Sequence, residues 1–204
     1  TEISEQNMFD LNEFYRGWYF WRSSSRSAPH NVYTSSDLLI DAYEEESAWR
    51  TMSDLEYGLW DYKVDLPKSE RPESHMVSMN FSPYYGDLYS AGWEYDPETN
   101  EYLRYQSGYE MSMLDGADIK ASNIAVVETD IVVIDEIGRR QIITIGEGDA
   151  LVFQDGETIE AIWSKDSEQD RLRFYNKNTS EEILWNAGVT WIEVLGRLES
   201  VVVD

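Results

Sequence analysis

Cationic and amide side chains are concentrated in one short segment that also contains Pro29. They are Arg22, Arg26, His30, Asn31 and Tyr33. Two guanidinium groups, an imidazole and an amide could bind a carboxylate or phosphate, because arginine offers a bidentate donor geometry that lysine lacks. Alternatively, the arginines pair with the protein's own carboxylates while His30 and Asn31 hydrogen-bond the loop backbone. The sequence favours this structural role, because no partner base or nucleophile is identifiable.

A second group of candidates surrounds a polar turn between two β-rich runs. It consists of Trp163, Lys165, Arg171 and Arg173. Positions 171 and 173 would point to the same face of a strand, so these cations could line a binding groove with Trp163. They could equally form the solvated face of a hairpin, paired across the strands with Glu157 or Glu160. We prefer the second interpretation.

The sequence contains no complete catalytic or metal-binding motif. It has no cysteine, which excludes disulfides, thiolate metal sites and a cysteine nucleophile. Asp115 and Asp118 lack the spacing of a calcium loop, and the serine-hydrolase motifs are missing. We therefore expect no metal and no cofactor. An enzyme acting on cell-wall polymers remains an alternative, with His30 as acid or base and an arginine stabilising negative charge.

Composition limits the fold class and the partners. The chain has 204 residues, 42% of them hydrophobic and 14% aromatic, enough for one sizeable core. A formal net charge of -24 repels phosphate backbones, so nucleic acid is not an expected partner. The preferred interpretation of this charge is that it keeps the protein soluble, and a cationic partner or a salty habitat are the alternatives. No segment is apolar enough over about 18 residues to cross a membrane.

The first third of the chain predicts an aromatic strand, a loop and a helix. The dense aromatic run from Phe14 to Trp21 is typical of a buried strand, and Pro29 favours an ordered, non-helical loop over residues 27–33. A helix is expected over residues 36–49, capped by Thr34, Ser35 or Ser36, with Trp49 on its apolar face. The weak pattern between residues 51 and 75 suggests a long surface loop.

The rest of the chain predicts successive strands separated by turn-forming residues. The expected strands are 76–81, 90–95, 102–106, 124–134, 141–145, 149–153, 158–164, 171–175 and 190–194. Asp155-Gly156 predicts a type I′ hairpin turn. Consecutive hairpins imply antiparallel pairing, because parallel crossovers would need intervening helices that the sequence does not offer.

Four ordered blocks carry a resemblance to a known family. They are residues 20–39 (FWRSSSRSAPHNVYTSSDLL), 89–105, 152–165 (VFQDGETIEAIWSK) and 188–192 (GVTWI). They resemble the C-terminal portion of the YerB-like bacterial lipoprotein family, a domain of unknown function (3048). The resemblance covers nearly the whole chain. It implies an extracytoplasmic protein, either a lipoprotein anchored at the cell envelope or a secreted protein, in which a further region precedes this one.

These observations lead to one prediction of fold and three of function. We expect an α+β fold, mostly an antiparallel sheet or barrel-like meander, against which the one main helix near the N-terminus packs. Residues 1–75 would hold the aromatic strand, loop and helix, and residues 76–204 the β-rich region. The preferred function is non-catalytic binding of a cell-wall glycan, an anionic ligand or a protein. The alternatives are the His30 enzyme and a structural fragment whose partner is the upstream portion of the same protein.

Overall fold

The computed structural model describes residues 11–47, 58–168 and 170–204. Contacts divide the chain into two units, Thr1–Glu56 and Tyr57–Asp204. Each unit is described by itself below. The predicted domain division at residue 75 and the predicted packing of the helix against the sheet stay predictions.

The first unit contains a small hairpin and the main helix. Strands β1 (Trp21–Arg22) and β2 (Val32–Tyr33) pair antiparallel, and helix α1 spans Ser36–Ser47. The Ser35 hydroxyl accepts a hydrogen bond from the Leu38 amide at 3.3 Å, which caps the helix as expected. Predicted helix positions 48 and 49, including Trp49, lie outside the described residues.

The predicted aromatic strand over residues 14–21 is wrong. A turn and a 3-10 helix (Gly17–Tyr19) occupy most of this segment, and only Trp21 belongs to a strand. Phe14 is 83% exposed and Trp18 is 61% exposed, whereas Tyr19 is buried. The run has aromatic density without the alternation of a half-buried strand, and Gly17 interrupts it, so hydrophobicity alone did not specify extended backbone.

The second unit is rich in short and medium strands. They are β3 (Tyr62–Lys63), β4 (Met76–Asn80), β5 (Ser90–Asp96), β6 (Glu101–Gln106), β7 (Tyr109–Glu110), β8 (Lys120–Ala121), β9 (Asn123–Glu128), β10 (Ile131–Val133), β11 (Arg140–Ile142), β12 (Gly146–Gln154), β13 (Glu157–Lys165), β14 (Arg173–Asn176), β15 (Trp185–Asn186), β16 (Thr190–Leu195) and β17 (Val202–Val203). Short 3-10 helices cover Lys68–Glu70, Pro83–Tyr89 and Leu198–Ser200.

Two larger sheets organise these strands. One has the order β14-β13-β12-β9-β16, and the other has the order β17-β4-β5-β6-β7 with β8 also paired to β6. Most neighbours are antiparallel, which confirms the β-rich, mainly antiparallel prediction. Both sheets stay open in the described part of the chain, so the barrel-like alternative is not realised.

Two parallel pairings depart from the predicted antiparallel meander. Strands β9 and β16 are parallel neighbours, with Asn123 opposite Thr190 and Glu128 opposite Leu195. The intervening chain, which includes β12 and β13, makes the crossover in place of the helix that the prediction required. Short parallel pairing of β15 with β3 was also missed, since two-residue strands carry almost no periodic signal. The predicted strand 124–134 is divided into β9 and β10.

The five-stranded sheet carries a core on each face. Along β9, Ile124 and Val126 belong to one buried cluster, which includes Trp93 and Tyr95 of the other sheet. Ala125 and Val127 belong to the second cluster, with Trp163 and Trp185. Because strand side chains alternate between faces, this division follows from the four consecutive apolar residues at positions 124–127 of β9.

The β12–β13 connection is the predicted type I′ turn. Asp155 and Gly156 have φ angles of 54° and 75°, both in the left-handed region that this turn requires. Gln154 pairs with Glu157 on either side of them, so the turn has two residues, as predicted.

Candidate functional site

The β1–β2 hairpin positions the first group of predicted site residues. Arg22 donates a hydrogen bond to Asn31 Oδ1 at 2.8 Å, and Asn31 Nδ2 donates to the Ser23 carbonyl at 3.1 Å. Arg22 also pairs with Glu13. Arg22 and Asn31 therefore hold the base of the loop, which is the structural role that the sequence favoured for them.

Arg26 and His30 lie in the loop between the two strands, and both are exposed. Within the described residues, neither side chain has a hydrogen-bond or ion-pair partner. Internal pairing of the arginines is thus seen for Arg22, whereas for Arg26 it stays a prediction. Tyr33 lies at the base of the loop, with its ring stacked on Trp21 at 6.1 Å between centroids.

Several exposed aromatic side chains belong to the segment that leads into strand β1. Phe14, Tyr15, Trp18 and Trp21 are exposed. The Glu13–Arg22 ion pair ties the turn that carries Phe14 and Tyr15 to strand β1. The hydrogen-bond donors of Arg26 and His30 suit an anionic group, and the exposed aromatic rings suit a flat apolar surface of a ligand.

The second predicted group does not form the proposed groove. Trp163 is only 2% exposed, and its indole donates to the Glu128 carbonyl at 2.8 Å. Lys165 donates to the carbonyls of Glu168 and Asp170, so it closes its own turn. These contacts assign structural roles to both residues.

The two arginines of this group also have internal contacts. Arg173 pairs with Glu182, not with the predicted Glu157 or Glu160. Arg171 lies outside strand β14, and its guanidinium stacks 4.3 Å from the centre of the Trp60 ring. The expectation that positions 171 and 173 share one strand face is therefore wrong, because the strand begins at residue 173.

Sequence reasoning missed a buried polar cluster around the β12–β13 turn. Asp155 Oδ1 accepts hydrogen bonds from Asn100 Nδ2 at 2.7 Å and Asn186 Nδ2 at 2.9 Å. It also accepts one from the Leu66 amide at 3.1 Å, and Lys63 forms an ion pair with the same carboxylate. The four partners come from distant parts of the chain, so no local pattern could have revealed them.

This cluster keeps Asp155 ionised although the residue is only 6% exposed. Burial by itself raises the pKa of the carboxyl, but the hydrogen bonds from Lys63 and Asn100 more than offset it, and the pKa lies below its usual value. In the described contacts, the Asp155 carboxylate is neutralised by Lys63 and hydrogen-bonded by groups of the protein itself. The cluster therefore holds the turn in place.

A second buried ion pair lies between two tryptophan rings. The Arg104 guanidinium is 5.0 Å from the Trp93 ring centre and 5.6 Å from that of Trp191. Its nearest carboxylate is Glu193 at 3.6 Å, which also accepts a hydrogen bond from the Trp93 indole at 3.0 Å. Burial lowers the pKa of Arg104, and Glu193 opposes that shift. This pair fixes the packing of strands β5, β6 and β16.

Two shallow grooves in the second unit each include four acidic residues in their lining. The first, of about 280 Å³, includes Glu94, Asp96, Glu101, Asp118 and Lys120. The second, of about 210 Å³, includes Glu128, Asp130, Glu147, Asp149 and Arg197. Among the residues that the structure describes, no group of three or more His, Asp or Glu side chains could hold a metal ion. The described helices include none long and apolar enough to cross a membrane.

Comparison with known proteins places these features in a family. The family model described as "Protein of unknown function (DUF3048) C-terminal domain" matches residues 79–192. The Bacillus subtilis (strain 168) protein named "Putative lipoprotein YerB" is 27% identical over 188 residues, which make up 90% of this chain and 53% of the relative. The chain thus spans about half the length of that curated relative.

A solved structure is also similar. The crystal structure of the YerB protein from Bacillus subtilis matches with a TM-score of 0.76 and 25% identity, over 100% of this chain and 66% of that one. The resemblance seen in the four sequence blocks is confirmed. The chain therefore belongs to the YerB-like DUF3048 family, with residues 79–192 matching the C-terminal domain that defines it.

Proposed function

We propose that the chain is a non-catalytic binding domain of the bacterial envelope, which takes an anionic glycan through the β1–β2 loop. The observation that carries this proposal is the pair of Arg26 and His30 side chains, exposed and without a side-chain partner in the described residues. Carboxylates are abundant in this chain, whose net charge is -24, yet none of the described ones pairs with Arg26 or His30. The availability of these two side chains favours a negatively charged ligand.

Exposed aromatic residues support a glycan in preference to a small anion. Trp18 and Trp21, which precede the cationic loop in the sequence, are exposed and offer flat apolar surface. A sugar ring can pack on such a face while a phosphate, sulfate or carboxylate on the polymer receives hydrogen bonds from Arg26 and His30. Arg22 and Asn31 then serve as positioning residues, because they hold the base of the loop.

An envelope location is supported by the family. The relative named as a putative lipoprotein aligns with 90% of this chain at 27% identity. Lipoproteins are attached to membranes at the cell surface. Anionic glycans are abundant ligands in that compartment. The His30 enzyme gains no support from the geometry, since within the described residues no carboxylate or hydroxyl contacts the imidazole.

Calorimetric titration with dextran sulfate and with neutral dextran of the same length tests the proposal. We expect the sulfated polymer to bind and the neutral one to bind at least about tenfold more weakly, because charge-assisted hydrogen bonds dominate. Arg26→Ala and His30→Ala should each weaken binding while the melting temperature stays unchanged, since both side chains are exposed.

Lys68→Ala provides the matched control. Lys68 is another exposed cation, paired with Glu98 far from the loop in sequence. Its loss removes one positive charge from the protein without touching the loop. Equal weakening by Lys68→Ala and Arg26→Ala would show only general charge attraction and would overturn the proposed site.

A further inference from the structure

Strands β10 and β11 form a two-stranded arm that belongs to neither larger sheet. We define the arm as residues 130–143. Ile131, Val132 and Val133 pair with Ile142, Gln141 and Arg140. Among the strands that the structure describes, neither β10 nor β11 has another neighbour. A hairpin of this size is only marginally stable by itself in water.

Apolar side chains cover both faces of the arm, yet they are exposed. Val132, Val133 and Ile134 are 54%, 59% and 55% exposed, and Ile142 and Ile143 on the other strand are 43% and 41% exposed. Successive strand residues point to opposite faces, so neither face is the polar side of an ordinary surface hairpin. Both faces therefore have apolar surface that a partner could cover.

The outer edge of β10 has unpaired main-chain groups. The Ile143 amide donates to Asp130 and the Ile134 amide donates to Arg139, which places the hydrogen-bonded pairs at even-numbered positions of β10. The alternation of an antiparallel ladder then directs the amide and carbonyl groups of Ile131 and Val133 away from β11. This edge can accept another strand.

Carboxylates stand at both ends of the apolar run. Asp130 and Glu147 lie at the base of the arm and line the 210 Å³ groove, and Glu136 lies at the tip. All three are exposed and have no side-chain partner among the described residues. At the tip, Arg140 lies opposite Val133, is exposed and also has no side-chain partner among the described residues. The excess of free negative charge therefore lies at the base of the arm.

We propose that the arm binds an extended segment of another protein, which adds as a third strand along the outer edge of β10. The segment that fits has a short apolar or β-branched run with lysine or arginine beside it. The apolar run would cover the exposed faces, the main chain would pair with Ile131 and Val133, and the cations would meet Asp130 and Glu147 at the base of the arm. A second copy of this acidic chain fits less well, because like charges repel.

A synthetic peptide probes this site directly. It carries an isoleucine-threonine-valine-threonine-isoleucine run between lysine pairs and is compared with two counterparts, one with glutamate in place of lysine and one with proline in place of valine. We expect one lysine peptide to bind per chain, with an affinity that falls as the salt concentration rises. The glutamate and proline counterparts should bind at least about tenfold more weakly, because one loses charge complementarity and the other loses main-chain pairing.

Two proline variants of the arm locate the edge. In Val133→Pro the lost amide points outward from β10, so the arm keeps its internal hydrogen bonds but cannot pair with the peptide. Ile142→Pro makes the same change on the outer edge of β11 and is the matched control. We expect the affinity for the lysine peptide to fall at least about tenfold in Val133→Pro and to stay nearly unchanged in Ile142→Pro.

Three results would overturn the proposal. They are binding of the proline peptide as tight as that of the lysine peptide, wild-type affinity in Val133→Pro, and dimerisation of the chain that Val133→Pro abolishes. The last result, measured by sedimentation without peptide, would make the arm a self-association surface. Circular dichroism and melting of each variant establish that the fold is intact before binding is compared.

Discussion

The ammonium group of Lys63 forms an ion pair with the Asp155 carboxylate, although the two residues are 92 positions apart in the sequence. Lys63 also donates to Asn186 Oδ1 at 2.6 Å, and Asn186 in turn donates to Asp155. This triangle joins strand β3, strand β15 and the β12–β13 turn. The turn of the longest hairpin is therefore anchored by groups that its own sequence does not contain.

Replacing Asp155 with asparagine should destabilise the protein by about 3 kcal/mol at neutral pH, because it leaves the Lys63 charge without its partner. Asparagine tolerates the left-handed backbone of this position, so the turn itself is retained. Asp155→Ala should cost about 1 kcal/mol more, since alanine also resists that conformation. Urea unfolding followed by tryptophan fluorescence measures both.

The same comparison has a predictable pH dependence. The pKa of Asp155 is lowered in the folded protein, so its contribution is complete above the pKa of an unfolded aspartate, about 3.9, and is lost as pH falls through the lower folded value. The stability difference between the wild type and Asp155→Asn should therefore shrink below about pH 4. A difference that is the same in acid and at neutral pH would contradict the ionised assignment.

Gly156→Ala should be among the most damaging small substitutions. A Cβ at this position would lie 2.5 Å from Pro72 Cγ and would also overlap the Tyr95 ring, in addition to the cost of its φ of 75°. We expect a loss of about 3 kcal/mol in the free energy of unfolding. Gly116→Ala is the control, because Gly116 has a φ of 88° with open space around it, and it should cost about 1 kcal/mol. Similar losses for the two variants would exclude the packing explanation.

Glu193→Gln tests the buried ion pair between the tryptophan rings. Glutamine can still accept the Trp93 hydrogen bond, but it leaves the Arg104 charge buried without a counter-charge. We expect a loss of about 3 kcal/mol, and Arg104→Met in the same chain should restore part of it. Glu182→Gln, which breaks the half-exposed pair with Arg173, should cost less than about 1 kcal/mol. If the effects of Glu193→Gln and Arg104→Met on the free energy of unfolding were simply additive, the ion pair between Glu193 and Arg104 would be excluded.

Several tyrosines should ionise late in an alkaline titration of the folded protein, Tyr95 and Tyr105 among them. Burial raises the pKa of Tyr95 to about 12, and the hydrogen bond to Glu94 raises that of Tyr105 to about 12. An unfolded tyrosine ionises near 10, so their contribution to stability is complete below about pH 10 and is lost as pH rises toward 12. Phenolate absorbance of the wild type and Tyr95→Phe measures this, and the variant should lack part of the late phase.

The local features of the fold were largely accessible from the sequence. The Asp155-Gly156 dipeptide predicted its turn, and the alternating runs predicted strands β4, β5, β6, β13 and β16, because both signals depend on neighbouring residues. The parallel contact between β9 and β16 was not accessible, since it depends on which distant strands share a core. The aromatic run 14–21 failed for a related reason: ring-rich segments are buried only when other elements cover them.

The candidate site was only partly accessible. Arg22 and Asn31 were assigned a holding role that the hairpin contacts support, whereas the freedom of Arg26 depended on which carboxylates the fold brings near it. A groove role for Trp163 was the less favoured alternative, and its burial follows from the position of its strand between two others. The polar cluster of Asp155, Asn100 and Asn186 consists of residues that are ordinary in turns, and only tertiary structure shows that they converge.

The parallel β9–β16 pair sets an order for folding. The β12–β13 hairpin can form early, because its strands are adjacent and its turn is preformed, while β16 must close a long loop before it gains any contact with β9. We expect the hairpin to be structured in the transition state and β16 to join after it. Substitutions in the β12–β13 turn should then slow refolding, and substitutions on β16 should mainly accelerate unfolding.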